Sequence, residues 1–253
     1  MTGRNWASFL LALQFMTRLP VQTDAVYSEA AMQQSPGFYP AVGVVVGVIS
    51  GMLYWGAALV FSPLIAALLA TVGGILVTGA LHEDGFADLC DGLGGGRSRE
   101  RVLEIMRDSH LGTYGVLGLG LMVGGKVSIV AGLPVLAVPF VLIAGHAGSR
   151  ASALVVMLTS SYVRAQGAAS PVSDPIDAAA RQFAILTTLA ALVPLLFVVP
   201  PLAMIGGVLG LAAGHYAMRQ RFEKRLGGYT GDCLGAVQQC SEAGFLLGIL
   251  ALA

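Results

Sequence analysis

Asp84, Asp88 and Asp91 lie in the stretch LHEDGFADLCDGLGGG, residues 81–96, at positions i, i+4 and i+7. On a helix that spacing puts all three carboxylates on one face. Three such charges repel one another unless something positive stands between them, and a divalent cation is the simplest compensation. Hard cations such as Mg²⁺ prefer carboxylate oxygens, and commonly take one or two of them together with phosphates of a substrate. His82 and Glu83 flank the trio and could form an outer layer. The stretch runs on into Gly94, Gly95 and Gly96, whose bare backbone could approach an anion. It has neither the alternating acids of an EF-hand loop nor a phosphate-loop lysine nor a GxGxxG pattern. The plain alternative is a solvated acidic helix end, although the cluster directly follows an apolar run, where charge is expensive and usually functional.

The next stretch, RSRERVLEIMRDSHLGTYG at residues 97–115, supplies Arg97, Arg99, Arg101 and Arg107. Guanidinium groups match phosphate oxygens in pairs. An apolar side formed by Val102, Leu103, Ile105 and Met106 fits a helix at a membrane surface. A third polar stretch, RFEKRLGGYTGDCLGAVQQCSE at residues 221–242, bends through glycines before Asp232, which reads either as a helix N-cap or as a further ligand or substrate contact. Gln238 and Glu242 are four apart and share a face. Lys126 and Arg150 interrupt apolar runs, and each needs an acid or a substrate phosphate as partner. His146 and His215 read as helix-packing hydrogen-bonders, and Cys90, Cys233 and Cys240 as small apolar filler with no disulfide framework.

These residues must be held by elements built for lipid. Of 253 residues, 56% are hydrophobic and 11% charged, against about 25% charged in a soluble domain. The mean hydropathy is +0.78. A net charge of zero provides no basic field for nucleic acid. About 20 apolar residues span a bilayer, and seven stretches qualify: 40–61, 64–81, 114–132, 138–158, 183–199, 202–218 and 236–253. The stretch before residue 20 is too short to span and predicts an interfacial helix. The expected architecture is therefore a single all-α, multi-pass membrane domain. Four polar segments, 1–39, 82–113, 159–182 and 219–235, hold 12 of the 14 Lys and Arg and 13 of the 14 Asp and Glu. Counting spans puts all four on one side, and the positive-inside rule makes that side, with the N-terminus, cytoplasmic.

The block of residues 82–115 resembles the signature of cobalamin synthases, as do FLLALQFMTRLPV at 9–21, FYPAVGVVVGV at 38–48 and RLGGYTGDCLGAVQQCSE at 225–242. The resemblance implies a multi-pass enzyme of the bacterial inner membrane. Such an enzyme joins α-ribazole, or its 5′-phosphate, to adenosylcobinamide-GDP with Mg²⁺ and releases GMP. Carried onto this chain, it implies a metal and diphosphate site at Asp84, Asp88 and Asp91, with Arg107, Asp108 and Asp232 as further site residues. Arg97, Gly95 and Lys126 are added as candidate substrate contacts, and Asp91 and Asp108 as alternative proton acceptors. A homo-oligomer or a complex with other enzymes of cobalamin assembly is compatible with this reading. Two other readings stay open: a relative of the CDP-alcohol phosphotransferases, whose acid pattern is only partly matched here, and an ion-coupled transporter using Lys126 and Arg150.

Overall fold

The computed structural model describes residues 3–164 and 176–253. Residues 165–175 of the expected 159–182 segment lie outside the described residues. Helix α1 (Gly3–Met16) is followed by a short α2 (Glu29–Gln34), α3 (Tyr39–Ala58) and α4 (Pro63–Thr78). Next come α5 (Leu81–Gly95), a short α6 (Arg99–Ile105), α7 (Thr113–Gly132) and α8 (Val138–Thr159). The chain ends with α9 (Ala178–Leu192), α10 (Pro201–Leu226) and α11 (Gly231–Leu250). Among the described residues there is no strand, only one isolated bridge between Tyr162 and Tyr229.

Six of these helical stretches are long and apolar enough to cross a membrane, and a seventh crossing exists only if α4 and α5 are taken together. The expected span 64–81 is thus cut short. α4 stops at Thr78, and α5 leaves it at 90°. The turn is made by Gly79 and Ala80, both left-handed at φ 63° and 59°. Glycine suits 79 because it takes the left-handed conformation without strain, and a Cβ there would also displace the Arg18 side chain. Ala80 carries a conformation that costs an L-residue about 1–2 kcal/mol. That strain sits at the root of the acidic helix, where it turns α5 across the end of the bundle instead of along it.

Two other boundaries differ from expectation. α10 runs to Leu226, well past the expected end at 218, and α11 starts at Gly231, ahead of the expected 236. The segment 219–235 is therefore mostly helix rather than loop. Hydropathy marks where a helix meets water, whereas intrahelical hydrogen bonds continue until glycine breaks them. Here Gly227, left-handed at φ 74°, does so.

Close helix packing uses bare backbone. Gly43, Gly47 and Gly51 of α3 lie against His146, Ile143 and Pro139 of α8. Gly206, Gly210 and Gly214 of α10 lie against Gly248, Gly244 and Cys240 of α11. Small residues permit such approach where lipid offers no hydrophobic drive. The similarly spaced Gly120 and Gly124 face nothing. α1 packs its Ala7, Leu11 and Ala12 inward and leaves Trp6 and Phe15 exposed, as an interfacial helix of 14 residues should.

Candidate active site

α5 and α11 cross at glycines. A Cβ on Gly85 would lie 2.8 Å from Asp232 Cα, and one on Gly235 would lie 2.9 Å from the His82 carbonyl oxygen. This contact of backbones sets Asp84 and Asp232 on the wall of one cleft, together with Arg164. Gly85→Ala is expected to spread the two helices and, through a displacement near 1 Å, to lower turnover on the order of a hundredfold. Comparing kcat with the thermal midpoint separates this from simple unfolding.

Arg164 is the site residue that the sequence did not flag. Its Nη2 donates to Asp232 Oδ2 at 2.8 Å and to the Met106 carbonyl at 3.3 Å. Its Nε is buried and has no hydrogen-bond partner among the described residues. The arginine is placed by a local device: Tyr229 N–H donates to Ser161 O at 2.9 Å, and Val163 N–H to Tyr229 O at 3.0 Å. These bonds pin residues 161–163 against the entry to α11. Only the pairing of Tyr162 with Tyr229, 67 positions apart, reveals this, and no local sequence signal carries it. Asp232 is not the N-cap, because the Thr230 hydroxyl fills that role by accepting from Cys233 N–H. Asp232 is thereby left to pair with Arg164.

Asp84 is exposed at the cleft, and Asp88 is half-buried one turn further along α5. Burial first, then the nearby Asp84 and Asp232 charges, push the Asp88 carboxyl up to about 7. Crowded hard-oxygen donors of this kind suit a divalent cation. Among the described residues no three His, Cys, Asp or Glu side chains converge on one point.

Asp91 departs from the expected trio. Its Oδ2 accepts from Gly112 N–H at 2.7 Å and its Oδ1 from Gly115 N–H at 2.8 Å. It is buried and caps the N-terminus of α7, a favourable place for a carboxylate. The shared stripe was read correctly, but seven residues also advance about 10 Å along a helix axis. Asp91 therefore reaches a different neighbour from Asp84.

The remaining candidates scatter. Gly94, Gly95 and Gly96 have no left-handed conformation and serve packing: Gly94 lies under the Tyr114 ring, Gly95 near Ile105 and Gly96 against Val102. Arg97 is exposed, and its carbonyl accepts from Arg225 Nη1 at 3.0 Å. Arg107 and Asp108 are exposed just beyond α6. Asp108 accepts from His110 N–H at 3.0 Å, and hydrogen bonds from His110 hold its carboxyl below the usual range. Arg107 adjoins Met106, whose carbonyl Arg164 ties to the cleft.

Lys126 does not line the cleft. It is buried in the bundle and donates to Gln239 Oε1 at 2.9 Å and Glu242 Oε1 at 2.8 Å. Glu242 also meets His146 Nδ1 at 3.0 Å and accepts from Gln238 Nε2 at 2.7 Å. Gln239 donates to Glu83 Oε1 at 2.9 Å, which fastens the start of α5 to α11. Arg150, also buried, bonds the His146 carbonyl at 3.1 Å. These side chains line one enclosed pocket beneath α5.

The fold and cleft thus define a class: a polytopic helical membrane protein with carboxylates and an arginine gathered at one end of its bundle. The family model described as cobalamin-5-phosphate synthase matches residues 8–250. Among similar proteins are adenosylcobinamide-GDP ribazoletransferases of Leptothrix cholodnii, 41% identical over 96% of this chain and 94% of that one, and of Ralstonia pickettii, 34% identical over 98% and 96%. Another, from Vibrio parahaemolyticus, is 37% identical over 92% of this chain and 88% of its own. No solved structure matches. The chain belongs to the cobalamin-5-phosphate synthase family.

Proposed function

We propose that this protein transfers the adenosylcobinamide phosphate group from adenosylcobinamide-GDP to a ribose hydroxyl, other than the 5′ one, of α-ribazole or of its 5′-phosphate, releasing GMP. The observation that carries the reading is the juxtaposition of Asp84 with the Arg164–Asp232 pair across the Gly85 crossing. The kinship with ribazoletransferases supplies the substrates. Transfer of a phosphoryl group needs little from a protein beyond positioning and charge neutralisation.

Asp84 and Asp88 would hold Mg²⁺, which when bound neutralises the diphosphate and its departing phosphate. Arg164, whose Nε has no partner among the described residues, shares the charge on the leaving side. Asp232 lies on the cleft wall and is positioned to take the hydroxyl proton of the acceptor. Of the carboxylates first considered for that step, Asp91 is spent on two amides and Asp108 lies outside the cleft. Arg97 and Arg107, both exposed, are free to reach the diphosphate from the α6 side. Because basic and acidic residues sort to one set of segments, we place this end of the bundle in the cytoplasm, in the bacterial inner membrane.

Purified protein in detergent should release GMP from adenosylcobinamide-GDP only when both α-ribazole and Mg²⁺ are present. Absence of release under those conditions refutes the proposal. Transport is disfavoured because Lys126, Glu242, His146 and Arg150 bond one another within the bundle rather than lining a path. Membership of this family removes the CDP-alcohol phosphotransferase reading.

A further inference from the structure

The cleft is lined by two chemically distinct groups of side chains. Asp84, Asp232 and Arg164 form its polar part. Phe15, Tyr39, Leu81, Ala153, Met157 and Tyr162, drawn from α1, α3, α5, α8 and the segment after α8, form its mostly apolar half. Phe15 and Tyr39 are nearly parallel, with centroids 6.4 Å apart and planes 15° apart, and present an aromatic ledge. Tyr162 is held edge-on to Tyr229 at 5.4 Å. A flat ring laid on such a ledge gains contact area and ring–ring attraction, and a thioether such as Met157 adapts to its edge.

We infer that this apolar half is the subsite for the heteroaromatic base of the acceptor nucleoside, with the attacking ribose hydroxyl directed to the carboxylates. The inference rests on the function proposed above. Two aromatic nucleosides take part in that reaction. Guanine carries amino, imino and carbonyl groups that need polar partners when buried, and beyond His82 and two tyrosine hydroxyls this part of the lining offers carbon. A benzimidazole ring presents a nearly all-carbon edge, so the apolar half matches the acceptor and not the donor nucleoside. Its other end then delivers the hydroxyl beside Asp232, as in-line attack requires.

The test uses two variants outside the carboxylate set, with KM measured for each substrate in turn. Met157→Trp fills the apolar half, and Phe15→Ala, at a partly exposed position, removes the outer ring of the ledge. Each should raise the KM for α-ribazole about tenfold, leaving the KM for adenosylcobinamide-GDP within about twofold. Phe15→Ala keeps the test open should Met157→Trp fail to fold. A rise confined to the KM for adenosylcobinamide-GDP would assign the cleft to the donor and overturn the inference. So would unchanged values for both substrates, which would mark the wall as lipid-facing. Inactivity of the unmodified protein sinks the transferase reading itself, and is thereby distinguished from failure of the subsite.

Discussion

Asp84→Asn should lower ribazole transfer on the order of a thousandfold while leaving the protein folded and inserted. The side chain is exposed on the cleft, and among the described residues no hydrogen bond to it is present that the amide would lose. What the substitution removes is charge. An asparagine oxygen is a poorer ligand for a hard divalent cation than a carboxylate, and the diphosphate then enters the cleft without its counter-charge. Asp88→Asn should act in the same direction, since Asp88 is the second donor one turn away. Asp91→Asn should behave differently. Its loss falls on the two amide bonds that seat the start of α7, so the thermal midpoint drops while the Mg²⁺ requirement is little altered. Titrating Mg²⁺ against GMP release in all three variants discriminates the roles. A turnover near normal in Asp84→Asn, or a shift in Mg²⁺ dependence confined to Asp91→Asn, would return the metal to the place first expected from spacing alone.

That contrast shows where sequence reasoning was sufficient. Composition and hydropathy located the apolar spans, because the cost of exposing backbone and charge to lipid is large and local. The stripe through Asp84, Asp88 and Asp91 was legible because helical periodicity is fixed. Which helix each carboxylate would meet was not, since that depends on the 90° turn at Gly79 and Ala80 and on the crossing at Gly85 and Gly235. Hydropathy smoothed over that turn, and the span 64–81 was drawn straight through it. Arg164 escaped notice for a related reason. It is a lone arginine in a polar segment, and only the pairing of residues 161–163 with Tyr229 brings it to Asp232. The charge of Lys126 calls for an acid or a phosphate as partner, and the structure supplies the acid, Glu242, about three turns into α11.

The same observation sets the second large effect. Glu242→Gln should destabilise the folded protein by about 3–5 kcal/mol, the usual consequence of leaving one member of a buried ion pair alone. Lys126 and Glu242 are both almost wholly buried at 7% and 4% side-chain exposure, so water offers neither of them relief. Glu242 also receives His146 and Gln238, and its neutralisation therefore disturbs α7, α8 and α11 together. Lys126→Met strands Glu242 less completely, because His146 and Gln238 remain, and it should cost less. The double variant Lys126→Met/Glu242→Gln should recover part of the loss, since no unpaired charge is left behind. Through Gln239 the pair is joined to Glu83 at the start of α5, so its rupture loosens the helix that carries Asp84. Thermal midpoints of the two single variants and the double variant in detergent provide the cycle. Kinetics on the surviving folded fraction of Lys126→Met provide the complement. A lysine that bound substrate would raise the KM for adenosylcobinamide-GDP with little change in stability, whereas a lysine that braces α11 against α7 lowers the midpoint and leaves that KM in place.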